Sequence, residues 1–319
     1  MPVPPGTIEL RLPVRSPFAA TALLTFLAAR AVSGVELVHG RTYTRTLRLP
    51  AGSGVARLTF PQDSVDPATR AAVDISLTLA HPADLAPAVD RCRRLLDADA
   101  DPVAIDAALS ADPALAGMAR SMPGLRLPGA VDGPEIVIRA LLGQQISVAA
   151  ARTGIAKLAV LTNEQLPFED PDVTLLFPSA SAIAALGTSA IAGPRARADT
   201  IVATAAVMAS GELRVDAGRR TADLTAELVA RKGIGPWTAG YVAMRVLGDP
   251  DVLLTGDLIM RQGAAALGLP ATPRELGSYG AGWSPFRSYA GLHLWRAAPV
   301  RRPAVITALR PAKSGSSYG

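Results

Sequence analysis

The stretch from Leu224 to Gln262, LTAELVARKGIGPWTAGYVAMRVLGDPDVLLTGDLIMRQ, constrains this chain more than any other. Leu224, Leu228 and Val229 recur with the spacing of one helix face. Gly233-Ile234-Gly235 then makes a turn too tight for side chains, because glycine permits left-handed backbone angles and the close approach of another backbone. Pro236 opens a second helix, since the N–H that proline lacks has no intrahelical partner at that position. Ile234, between the glycines, can plug into the helical core and fix the hairpin.

Such a turn presents the N–H groups of Gly235, Trp237 and Thr238 at a helix N-terminus, where free amides and the helix dipole favour an anion. A DNA phosphate fits there without any reading of sequence. A lone Gly-x-Gly is ordinarily a plain corner between helices, and only the length of the surrounding pattern argues for more. Twenty-two residues beyond Gly235 stands Asp257, in Leu253-Leu254-Thr255-Gly256-Asp257-Leu258-Ile259. It precedes a helix, and most aspartates so placed are N-caps worth about 1 kcal/mol. The same place favours negative charge. One carboxylate can therefore cap the helix and also stand beside a reacting centre that becomes positive.

The 319 residues are 49% hydrophobic and 4% aromatic, material for two or three packed units rich in Ala, Leu and Val, as domains usually run to roughly 100–150 residues. Residues 1–135 sum to a charge of −1 and residues 136–319 to +6, so a polyanion is expected against the second half. The single cysteine, Cys92, excludes disulfides within the chain and four-cysteine zinc or iron–sulfur sites. His39, His81 and His293 show no metal-ligand spacing, and no metal is expected in the chemistry. The apolar run Phe18–Ala29 is too short to span a bilayer, and the strand-like segment before it does not suit a signal peptide. A cytoplasmic protein without membrane contact is expected.

The fold class is α+β. Residues 1–96 read as an antiparallel sheet with helices. Strands are expected at Ile8–Val14, Val35–His39, Tyr43–Leu49, Val55–Phe60 and Val73–Leu79, with helices at Pro17–Ala31 and Leu85–Leu96. Residues 97–300 read as all helix, punctuated by Gly, Pro and Asp. The helices there are Pro102–Leu109, Ile136–Val160 broken at Gly143-Gln144-Gln145, Ala180–Leu186, Arg197–Ala209, Leu224–Lys232, Trp237–Leu247, Leu258–Leu267 and Tyr289–Trp295. Residues 301–319 read as a flexible tail.

With its Gly/Pro-rich loop and following aspartate, the segment resembles the helix-hairpin-helix superfamily of DNA glycosylases. More narrowly, the chain resembles bacterial DNA-3-methyladenine glycosylase II over about residues 6–298. The likeness extends to Phe26–Ser33, Gly124–Gly129, Leu142-Gly143-Gln144 with Ser147-Val148, and Arg287–Ala290 with Leu292, His293 and Trp295. The resemblance implies an N-terminal curved sheet followed by two helical domains that enclose a cleft. It puts Asp257 on the catalytic aspartate, Trp237, Tyr241 and Trp295 on the aromatic base pocket, and Gly233 and Gly235 on the hairpin. It implies a monomer that takes double-stranded DNA with alkylated bases, flips the base out and hydrolyses its bond to the sugar. It also implies a monovalent cation at the hairpin carbonyls, structural rather than chemical.

Two departures matter. Gln145 stands where close family members insert a leucine into the duplex, so the wedge here is polar. Gly256 replaces a second acid beside the catalytic one, which leaves Asp257 the less ambiguous candidate. Strand-cleaving relatives carry a lysine two residues after the second loop glycine, where this chain has Trp237, so base removal without strand cleavage is expected. A non-catalytic DNA-binding hairpin is the alternative reading, although a phosphate clamp needs neither Asp257 nor an aromatic pocket. Alkyl transfer onto Cys92 is rejected, because Asp90-Arg91-Cys92-Arg93-Arg94 lacks the Pro-Cys-His-Arg setting of such acceptors.

Overall fold

A computed structural model describes residues 6–299, and the tail expected from 301 lies outside the described residues. Five strands, β1 (Thr7–Val14), β2 (Glu36–His39), β3 (Thr42–Arg48), β4 (Ser53–Thr59) and β5 (Ala71–Leu79), form one antiparallel sheet in the order β1-β5-β4-β3-β2. Side chains of β5 alternate buried and less buried, the period-2 signature of a sheet with one face on a core. That core is closed by α1 (Ala20–Arg30) and α2 (Leu85–Leu95). The first helix starts at Ala20 rather than at the expected Pro17.

The remaining regular elements are helices: α3 (Pro102–Ser110), α4 (Pro113–Ser121), α5 (Gly133–Leu142), α6 (Val148–Thr162), α7 (Ala180–Leu186), α8 (Arg195–Ala209), α9 (Thr221–Val229), α10 (Pro236–Val242), α11 (Leu258–Ala266), α12 (Pro273–Gly280) and α13 (Arg287–Ala297). The expected break at Gly143–Gln145 separates α5 from α6. After α10 the chain continues through a wider helical turn, Ala243–Leu247. Helices α4 and α12 escaped the periodicity reading, being short and interrupted by Gly117 and Gly277. Their start signals were present: Asp112-Pro113 opens one, and Thr272 with Glu275 forms a capping box on the other.

Apolar side chains gather in three large clusters and a small one, the latter joining Val55 of β4 to Leu166, Val173 and Leu176. One cluster fills the sheet unit, a second joins α5 to α10, and a third joins α3 and α4 to α11 and α13. Charged residues link the sheet to α5. Arg45 on β3 donates to Glu135 at 2.8 Å, and Arg139 donates to Glu36 at 2.7 Å and to Glu135 at 2.8 Å; Arg45 and both glutamates are buried, and Arg139 is partly so. Two arginines against two glutamates leave no net charge, the condition under which burial of ions is tolerated. The adjacent guanidiniums hold Glu135 down to about 2 even though burial alone would raise it.

Candidate active site

Helices α9 and α10 form the hairpin. At Gly233 the backbone is left-handed, with φ +84°, and an added Cβ would lie 2.2 Å from Oγ1 of Thr200 on α8. Glycine is required there twice over. Gly235 differs: its backbone is extended, φ −92° and ψ 173°, and nothing lies within 4 Å of an added Cβ. The expectation of left-handed angles thus holds at Gly233 and fails at Gly235, where the missing side chain leaves open space in front of the turn. Ile234 is 4% exposed and sits in the core, as expected.

Thr238 is buried, and its Oγ1 accepts from Nε2 of Gln144 at 3.0 Å. The residue is 2% exposed, so its hydroxyl faces the protein interior rather than solvent. Gln144 also donates to the Gly233 carbonyl at 3.2 Å, and Arg197 donates to the Gln144 carbonyl at 3.0 Å. These bonds pin the α5–α6 turn to the hairpin. Gln145 stands exposed on that turn with φ +59°.

Asp257 is the N-cap of α11, its Oδ1 accepting from the Met260 N–H at 2.8 Å. Two indoles also point at this half-buried carboxylate. Trp237 Nε1 donates to Oδ2 at 2.8 Å, and Trp295 Nε1 donates to Oδ1 at 3.1 Å. Sequence reasoning assigned these tryptophans ring faces only. In the fold their N–H groups also fix the carboxylate's orientation. Trp237 stacks on Tyr241, with ring centres 5.4 Å apart and planes 11° apart, so the three aromatics expected in a pocket do gather around Asp257.

Asp112 shows why those hydrogen bonds alone do not define a site. It caps α4 and accepts from Trp283 Nε1 at 2.6 Å and from the Tyr279 hydroxyl at 3.2 Å. What sets Asp257 apart is its tie through Trp237 to the α9–α10 hairpin, whose turn glycine Gly235 lies two residues before that tryptophan.

Three neighbours were missed from sequence. Arg245, 6% exposed, donates to the Tyr241 hydroxyl at 2.5 Å and to the Pro128 and Gly129 carbonyls. Its spacing from Tyr241, four residues along one helix, was the available signal. Phe26 and Arg30 come from α1 in the sheet unit. The Arg30 guanidinium lies 3.6 Å above the Phe26 ring, and that of Arg245 lies 4.9 Å from the same ring. No local pattern links them to α10.

Among the described residues no group of three His, Cys, Asp or Glu is placed to hold a metal, and no helix is long and apolar enough to cross a membrane. Cys92 is 1% exposed, and burial pushes its thiol up to about 12, which removes the thiolate that alkyl transfer needs.

The AlkA N-terminal domain family matches residues 9–132. DNA-3-methyladenine glycosylase 2 of Escherichia coli K12 is 33% identical over 282 residues, which cover 88% of this chain and 94% of that protein. The chain belongs to the DNA-3-methyladenine glycosylase II family. A second member, from Mycobacterium tuberculosis H37Rv, is 44% identical over 290 residues and is named a "Probable bifunctional transcriptional activator/DNA repair enzyme AlkA". The match covers 91% of this chain but 57% of that relative, so the chain spans little more than half its length. The glycosylase II fold is shared with the 3-methyladenine DNA-glycosylase from Archaeoglobus fulgidus, at a TM-score of 0.75 and 18% identity, covering 90% of this chain and 97% of that one.

Proposed function

We propose that this chain is a DNA glycosylase that excises alkylated bases from double-stranded DNA by base flipping and hydrolysis, and leaves the strand uncut. The observation that carries this reading is the Asp257 carboxylate, held by two indole N–H groups and a helix amide beside the Trp237–Tyr241 stack. A phosphate clamp has no use for such a group.

Extruding a nucleotide costs a few kcal/mol, less where damage has weakened its stacking or pairing. The open space at Gly235 lets a phosphate reach the hairpin amides, and Gln145 on the pinned turn fills the gap that the nucleotide leaves. A cationic alkylated purine gains about 0.5–2 kcal/mol against aromatic faces. As its bond to C1′ breaks, positive charge grows on the sugar, and Asp257 stabilises it. Water adds to C1′ and completes the hydrolysis.

A monovalent cation at the hairpin belongs to the proposal in a structural role only. The Arg231 and Gly233 carbonyls already accept from the Ile234 N–H at 3.2 Å and from Gln144 at 3.2 Å, and each keeps a lone pair for an ion. The protein is taken to act as a cytoplasmic monomer, with double-stranded DNA carrying alkylated bases as its partner. The deciding experiment is incubation of the purified chain with methylated duplex DNA and chromatography of the bases set free. Release by the wild type but not by Asp257→Asn supports the reading; no release by either ends it.

A further inference from the structure

Breaking a glycosidic bond separates charge. The sugar becomes positive, and an uncharged base departs with the bonding electron pair and becomes negative. A base already carrying a positive charge departs neutral. The two situations ask for different groups at the base end of a site.

Here the two ends are oppositely charged. Asp257 stands at one end of the Trp237–Tyr241 stack. At the other, Arg245 donates to the Tyr241 hydroxyl at 2.5 Å, and Arg30 lies over the shared Phe26 ring. Among the described residues neither arginine is paired with a carboxylate: Arg245 spends its remaining N–H groups on the Pro128 and Gly129 carbonyls, and Arg30 donates to the Phe26 carbonyl. Two cations without a counter-ion are an expensive floor for a pocket that takes only cationic guests.

The hydroxyl has one proton and two lone pairs, and a guanidinium can only donate. The Tyr241 oxygen is therefore the acceptor in its bond with Arg245, and its own proton is turned away from the arginine. No described residue accepts it. Burial would make this phenol less acidic, but Arg245 and then Arg30 outweigh burial and leave it more acidic than an ordinary tyrosine, and so a stronger hydrogen-bond donor.

We propose that Tyr241, polarised by Arg245 and Arg30, donates a hydrogen bond to the departing base and so assists the expulsion of uncharged bases. This rests on the glycosylase reading and assigns the base end of the same site. The C1′–N9 bond breaks and its electron pair leaves with the base, while the water oxygen bonds to C1′. One water proton ends on the base, and Tyr241 keeps its own. Tyr241 touches the substrate; Arg245 and Arg30 are positioning residues.

The test is single-turnover excision from two duplexes of one sequence, one carrying hypoxanthine (uncharged) and one carrying 7-methylguanine (cationic). Tyr241→Phe keeps the ring that stacks on Trp237 and removes the hydroxyl. Both rates are expected to fall, hypoxanthine at least tenfold more than 7-methylguanine. Arg30→Gln is the second probe should Tyr241→Phe lose its folded circular dichroism spectrum. It should penalise hypoxanthine selectively, and Arg30→Lys should restore the hypoxanthine rate. Equal losses on the two substrates overturn the proposal. So does a wild type that releases 7-methylguanine and never hypoxanthine, and that result leaves the glycosylase reading intact. Release of neither base overturns both.

Discussion

Trp295 donates its indole N–H to Oδ1 of Asp257 across 38 residues of chain, at 3.1 Å. Trp237 does the same to Oδ2 from the hairpin side, at 2.8 Å. The carboxylate is thus clamped between the last described helix and the hairpin, and its orientation depends on both.

The first prediction follows from that clamp. Asp257→Asn should lower excision by about 100- to 1,000-fold, the range for loss of one preorganised electrostatic group, while damaged duplex is still bound. An amide has an NH2 where one of the indole N–H groups now points, so the variant should also be somewhat less stable. Trp295→Phe keeps the ring face and removes one donor. It should cost about tenfold, the worth of a hydrogen bond to a charged group. Unchanged single-turnover rates in either variant would refute the role given to Asp257.

The two hairpin glycines should behave differently. Gly233→Val meets a left-handed φ and Thr200, and should destabilise the fold by at least roughly 1–3 kcal/mol. Gly235→Val meets open space and ordinary backbone angles, so its melting temperature should hardly move. It should instead weaken binding to every DNA sequence alike and lower the salt slope of binding by about one phosphate contact. Fluorescence anisotropy at several salt concentrations, with thermal melts, separates the two. A loss confined to one sequence context would count against a phosphate clamp.

Strand cleavage should be absent. Trp237 occupies the place where a Schiff-base lysine would stand, and its indole is already spent on Asp257. Lys157 lies exposed on α6 and Lys232 exposed just before Gly233, while Lys313 is outside the described residues. Borohydride added during turnover should trap no protein–DNA adduct. An adduct abolished by changing one of these lysines would reverse the assignment.

Two buried groups should oppose one another as pH falls. Burial, then Arg296, lowers His293 to about 4, below its unfolded value. Its contribution is complete above about pH 6.5 and is lost as pH drops towards 4, because the unfolded chain takes up the proton first. Burial raises Asp97 to about 6 in spite of its bonds from Tyr289 and Leu127. Its ionised form is a cost above pH 6, relieved on acidification towards 4. Asp97→Asn should therefore raise the melting temperature at pH 7.5, and the gain should shrink at pH 4.5. A gain independent of pH would show that charge is not the cause.

The hairpin, its glycine at 233, the plug Ile234, the helix start at Pro236 and the capping aspartate were all legible in the sequence, as was the five-stranded sheet. Each is fixed by interactions within a few residues or by a strict hydrophobic period, and such information lies along the chain itself. Tertiary structure alone decided that Trp237 and Trp295 aim N–H groups at one carboxylate, and that Gln144 donates to the buried Thr238 hydroxyl. It alone brought Phe26 and Arg30 from the sheet unit to Tyr241 and left Gly235 extended. These contacts join residues with no shared periodicity, and they depend on separate apolar cores that pack their helices at fixed distances. A side chain's direction across such a junction is set by what the other core presents, which no window of neighbouring residues contains.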